Sequence, residues 1–135
     1  MKKYLVPVAI AIGLSLALTA CGGGAPSTNF NVDMVEFMFN PNNFTVPAGQ
    51  EITLELSNNG AVVHDFIIMN QGEEVGQDFG EEDEPNIYWM AELEPGSSNT
   101  YTFTAPNQPG EYQVVCGIPG HYLAGMVAKL IVVAE

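Results

Sequence analysis

From residue 29 onward the chain is written in short apolar runs cut by turn residues. Residues 51–57 show the pattern most plainly. Ile52, Leu54 and Leu56 alternate with Glu51, Thr53, Glu55 and Ser57, the period of a strand with one buried face. Residues 30–39 predict one strand, stopped by Asn40-Pro41-Asn42-Asn43, and residues 44–46 a second, stopped by Pro47-Ala48-Gly49. After the turn at Asn58-Asn59-Gly60, residues 64–69 predict a strand whose buried run is Phe66-Ile67-Ile68. Further strands are predicted at 100–104, 110–116 and 126–133. No segment holds a helical period for long and no repeat is present, so the pattern implies an all-β sandwich or barrel.

Residues 70–97 break the rhythm. They carry Glu73, Glu74, Asp78, Glu81, Glu82, Asp83, Glu84, Glu92 and Glu94, and predict an acidic surface insertion with a helical turn over 87–92. Tyr88, Trp89 and Met90 interrupt the acidic run and are expected to anchor it to the sandwich.

The front of the chain has a different character. Lys2 and Lys3 precede an apolar stretch over 5–17 that is too short to span a bilayer comfortably. Leu18-Thr19-Ala20-Cys21 then resembles a bacterial lipobox, with Cys21 as the lipid acceptor. The alternative is an ordinary secretory signal with an incidental cysteine. The expected organisation is a lipoprotein signal at 1–20, a lipidated cysteine and flexible linker at 21–28, and one domain at 29–135. The protein is thus expected to be exported and lipid-anchored to the outer face of the cell membrane.

Charge narrows the partners. Lys and Arg number 3 against 16 Asp and Glu, for a net charge of −13. With the leader removed, Lys129 is the only basic residue left. Such a chain repels nucleic acid, whose binding relies on Lys and Arg. Basic proteins or cations are the electrostatically sensible partners.

The candidate chemistry is concentrated near the C-terminus, in Cys116-Gly-Ile-Pro-Gly-His121-Tyr-Leu-Ala-Gly-Met126, with His64 far upstream. The chain has 2 histidines and 2 cysteines, and one cysteine is assigned to the lipid. Cys116 is then a lone thiol in an oxidising compartment, for which a metal is the obvious occupant. A thiolate, two imidazoles and a thioether form the ligand set of a mononuclear blue-copper site. Zinc competes for the cysteine and histidines but makes little use of a thioether. A Cys–His nucleophile would need an orienting residue and an oxyanion hole that nothing in the sequence marks. A binuclear copper centre would need a second loop cysteine, and a catalytic second copper centre would need further histidines. The reading is therefore one copper ion cycling between Cu(II) and Cu(I), held by His64, Cys116, His121 and Met126, in a carrier rather than an enzyme.

The run from Tyr112 to Met126 resembles the copper loop of the plastocyanin/azurin family of cupredoxins, the auracyanins most, as does the Asn59-Gly60 turn before His64-Asp65-Phe66. The resemblance implies an eight-stranded Greek-key β-sandwich with copper at one end. It also implies a weak axial bond from Met126 and electron transfer through the exposed edge of His121. The family commonly has Asn directly after the first histidine, where this chain has Asp65. Asp65 is expected to accept hydrogen bonds from the Cys116 loop and so to keep the bracing role. An apolar rim of Pro119, Gly120, Tyr122, Leu123, Ala124, Gly60 and Ala61 is expected around His121. The resulting expectation is a monomeric electron carrier of a photosynthetic or respiratory chain, meeting a basic cytochrome or a membrane redox complex. The alternative is a copper-delivery lipoprotein with the same ligands.

Overall fold

Nine strands follow one another along the chain: β1 (Asn29–Val35), β2 (Met38–Asn40), β3 (Asn43–Pro47), β4 (Glu51–Asn58), β5 (His64–Met69), β6 (Ile87–Leu93), β7 (Ser98–Thr104), β8 (Gly110–Val115) and β9 (Val127–Val133). The structure is a computed structural model that describes residues 24–134. The expected leader and Cys21 lie outside the described residues. The strands form two sheets, ordered β2-β1-β4-β7 and β3-β9-β8-β5-β6. The chain changes sheet after β2, β3, β4, β6 and β7, giving a Greek-key β-sandwich. Pairing is parallel for β1 with β4 and for β3 with β9, and antiparallel elsewhere.

Alternation along the strands fills the space between the sheets. Ile52, Leu54 and Leu56 of β4 face Phe66 and Ile68 of β5, Val114 of β8, and Leu130 and Val132 of β9 within one buried cluster. Each such side chain contributes on the order of 1.5–3 kcal/mol by leaving water. Cys116 and Met126 belong to the same cluster, so the core reaches into the functional loop. β5 is buried at every position, because its other face is covered by Val75 with Phe79, Ile87 and Tyr122 packed around Ile67, Met69 and Val115. A strand covered on both faces reads as an unbroken apolar run, which is what 66–69 shows.

Two local expectations are corrected. Residues 30–39 are two strands rather than one: the chain reverses at Glu36-Phe37, and β1 and β2 pair antiparallel. The proposed helical turn over 87–92 is strand β6, the edge of the second sheet. Trp89, Ala91 and Leu93 turn inward while Tyr88, Met90 and Glu92 turn out. Of the expected trio Trp89 does the packing, stacked on Phe103 with centroids 4.9 Å apart, and the Tyr88 hydroxyl adds a hydrogen bond to Thr104 O at 2.7 Å, while Met90 is exposed. The acidic insertion thus ends at a single 3-10 turn, Glu84–Asn86, directly before β6.

Candidate metal centre

Cys116 follows the last residue of β8, and Met126 precedes the first residue of β9. The strands are paired, so both ends of the loop are fixed. Cys116 N–H donates to Met126 O at 3.2 Å, and Met126 N–H donates to His121 O at 3.0 Å. His121 N–H donates to Ile118 O at 3.0 Å. The loop is therefore folded back on itself. Gly120 and Gly125 take left-handed φ values of 83° and 99°, which other residues adopt at a cost. Gly117 is needed for space instead. A Cβ there would lie 2.7 Å from Ile67 Cδ1 and 2.9 Å from Asp65 Oδ2.

His64 opens β5 and is carried by the loop over 59–63. That loop hangs on Asn58, which is fully buried. Its amide donates to Val62 O and Leu93 O, both at 2.9 Å, and its Oδ1 accepts from Gly60 N–H at 2.9 Å. The sequence marked Asn58 only as a turn residue.

These supports bring three donor atoms together. His64 Nδ1 and His121 Nδ1 are 3.2 Å apart, and Cys116 Sγ lies 3.9 Å from the first and 3.4 Å from the second. The point equidistant from all three is about 2 Å from each. That is close to the length of a bond from a first-row metal to imidazole or thiolate. All three residues are buried. Without a metal, two facing imidazole nitrogens and a thiol are poorly satisfied, and His64 Nε2 has no hydrogen-bond partner among the described residues. Burial, and then the neighbouring His121, hold the His64 pKa below the usual imidazole value. A neutral imidazole is the form that ligates. Met126 is fully buried at the loop's closing end. The four side chains are arranged as a single type 1 copper site.

Asp65 occupies the position beside this cluster. Its N–H lies 3.4 Å from Cys116 Sγ, a contact that would support a thiolate. Its carboxyl is pushed up to about 6 by burial and by Glu92 across the strand pair, while the Gly117 backbone pulls it down. Asp65 Oδ2 lies beside Gly117, whereas Asp65 Oδ1 has no hydrogen-bond partner among the described residues, so the contact that joins the two ligand segments is the backbone one, from Asp65 N–H to Cys116 Sγ.

The outer side differs from expectation. His121 is only 8% exposed, so it presents little free edge. Phe37, at the β1–β2 turn, stands edge-on to it and is itself 46% exposed. Phe37 has φ 64°, a left-handed conformation that is rare for a bulky residue. Glu36, next to it, accepts the Ala61 N–H and lies on the His64 side. Tyr122 is half-buried rather than part of an open rim, because its hydroxyl donates to Val75 O at 2.7 Å. Leu123 is 69% exposed as the apolar rim requires, with Phe37, Met38 and Val62 adding to the exposed apolar surface.

The profile of the Cupredoxin-like domain matches residues 8–132. The chain belongs to the cupredoxin family. Auracyanin-B of Chloroflexus aurantiacus is 33% identical over 110 residues, which cover 70% of this cupredoxin and 46% of Auracyanin-B. The chain thus spans about half the length of that relative. Auracyanin-A of the same organism is 29% identical over 95% of this chain and 96% of its own length. Its solved structure, described as that of a "blue" copper protein, superposes with a TM-score of 0.61 at 31% identity, covering 78% of this chain and 99% of that one. The dithionite-reduced auracyanin of the photosynthetic bacterium Roseiflexus castenholzii gives a TM-score of 0.68 at 34% identity, over 80% of this chain and 98% of that one.

Proposed function

We propose that this cupredoxin is a one-electron carrier, exported and tethered to the membrane through Cys21, that serves redox complexes rather than turning over a substrate. The observation that carries the reading is the buried triangle of two Nδ1 atoms and one Sγ. Bound copper supplies the Cu(II)/Cu(I) couple, which soft sulfur and borderline imidazole ligands suit. His64, Cys116, His121 and Met126 would hold it.

The chain's own part is to keep those donors still. Cys116 is fixed by the β8–β9 pairing and His64 by the Asn58 network. Asp65 ties the Cys116 side to the His64 side. Little rearrangement is then needed between oxidation states, which favours fast transfer. Hydrophobic packing of Cys116 and Met126 into the core excludes water from the inner side. On the outer side Phe37 and Leu123 offer exposed apolar groups, and brief redox encounters use small interfaces.

The acidic surface supports a basic partner, drawn in by long-range attraction that salt screens. Similarity to auracyanins of photosynthetic bacteria supports a place in a photosynthetic chain. A delivery protein would release its metal readily, whereas a carrier keeps it. The test is to cycle the copper-loaded protein repeatedly with ascorbate and ferricyanide in the presence of a strong Cu(I) chelator. A carrier retains its copper through the cycles. Stoichiometric loss to the chelator on first reduction would mark a delivery protein instead.

A further inference from the structure

Residues 70–86, between β5 and β6, carry Glu73, Glu74, Asp78, Glu81, Glu82, Asp83 and Glu84 and have so far been given no task at the metal. Such a run is ordinarily a solvated loop. Part of it is buried here. Val75 is 3% exposed and sits in the outer cluster with Ile67, Met69 and Val115. Its N–H donates to Gln113 Oε1 at 2.9 Å, and its carbonyl accepts the Tyr122 hydroxyl. Phe79 lies against Gly117, within 3.2 Å of where a Cβ on that glycine would stand. Asp78, between them, accepts the Gly120 N–H on Oδ2 at 2.8 Å.

The segment therefore touches the copper loop at Gly117, Gly120 and Tyr122, on the side away from the sandwich core. Gly120 is the residue before His121. Its left-handed backbone is the bend that turns His121 back toward Cys116. Asp78 Oδ1 is buried and has no hydrogen-bond partner among the described residues. A carboxylate held this way is costly unless it serves a purpose.

We propose that Asp78 is a positioning residue of the copper site: its carboxylate holds the Gly120 N–H and so fixes His121 against Cys116. This rests on the copper reading of the site. Residues 75–79 are thus an outer brace for the loop, complementing the inner brace that Asp65 provides. The acidic insertion thus has a structural part, in which Asp83 too is buried and accepts the Gly80 N–H, while Glu73, Glu74, Glu81, Glu82 and Glu84 remain exposed.

The test compares Asp78→Ala, Asp78→Asn and, as a control at an exposed acidic residue, Glu81→Gln. Two quantities are read: exchange of the Gly120 amide proton in the metal-free protein and the rate of copper loss to EDTA. Loss of a supporting partner of this kind changes metal binding by about 10–100-fold. Asp78→Ala is expected to speed copper loss by about tenfold or more and to speed Gly120 exchange. Asp78→Asn keeps an acceptor oxygen and should restore both toward wild type. Both quantities should stay at the wild-type value in Glu81→Gln. Unchanged Gly120 exchange in Asp78→Ala would overturn the brace, as would an Asn variant no better than Ala. A speed-up in Glu81→Gln equal to that in Asp78→Ala would overturn it too. If the wild-type protein takes no copper, the copper reading fails, and the Gly120 exchange comparison still decides the brace by itself.

Discussion

Phe37 meets the ring of His121 edge-on, with centroids 5.2 Å apart and planes at 85°. The contact closes the outer side of the metal site with an aromatic ring rather than with bare imidazole. It also explains why a bulky residue holds a left-handed backbone at the β1–β2 turn: the turn places its side chain over the histidine. An aromatic pair of this kind contributes about 0.5–1.5 kcal/mol beyond its buried area. Phe37→Ala should therefore destabilise the protein by about 1 kcal/mol in urea unfolding. Phe37→Gly should cost less, because it relieves the backbone while losing the ring. Both should react faster with a small hydrophilic oxidant such as ferricyanide, since His121 becomes more open. A rate unchanged from wild type would show that the ring is not a barrier.

Asn58 makes the strongest stability prediction. Truncating it to Ala strands the Val62 and Leu93 carbonyls and the Gly60 N–H, three groups that it now satisfies. The cost should be on the order of 2–4 kcal/mol, from unsatisfied groups in a buried setting. Because the same network holds the loop over 59–63, copper should also be lost faster. Asn58→Asp should fare no better, since a carboxylate cannot donate to the two carbonyls. Chemical denaturation together with transfer of copper to a chelator would check both.

Asp65 predicts a pH dependence whose sign follows from its raised pKa. In the folded metal-free protein this carboxyl holds its proton up to about 6, whereas in the unfolded chain it releases it near the ordinary value of 3.8. Between those values the folded state binds more protons, so this group makes stability fall as pH rises through the window. The penalty is absent below the lower value and complete above the upper one. Asp65→Asn should remove that slope. The variant should be more stable than the wild type at pH 7.5 and converge with it near pH 4, measured as urea midpoints without copper. Parallel curves at all pH values would contradict the assignment.

The parts of the fold legible in the sequence are those where one residue type has one physical meaning. Alternation in β4 and the turn residues around β3 gave those strands directly. The donor set gave the site, because thiolate, imidazole and thioether within eleven positions have few other uses. β6 was hidden because residues 87–91 are apolar throughout, so its alternation shows only when a core takes one side. The break at Glu36-Phe37 was hidden because neither residue is a usual turn former. Asn58 and Asp78 act through single long-range hydrogen bonds, to Leu93 and Gly120, which no local pattern announces. His121 was expected to be exposed because the covering ring comes from 84 positions upstream.

The central claim is that His64, Cys116, His121 and Met126 hold one type 1 copper ion. The most direct measurement is to add Cu(II) to the metal-free domain and record its visible absorption and EPR spectra, with Cys116→Ala in parallel. The structure predicts one copper per chain, an intense thiolate-to-copper band and narrow copper hyperfine splitting, all abolished in Cys116→Ala. A colourless copper adduct with wide hyperfine splitting, or a spectrum that survives Cys116→Ala, would contradict it.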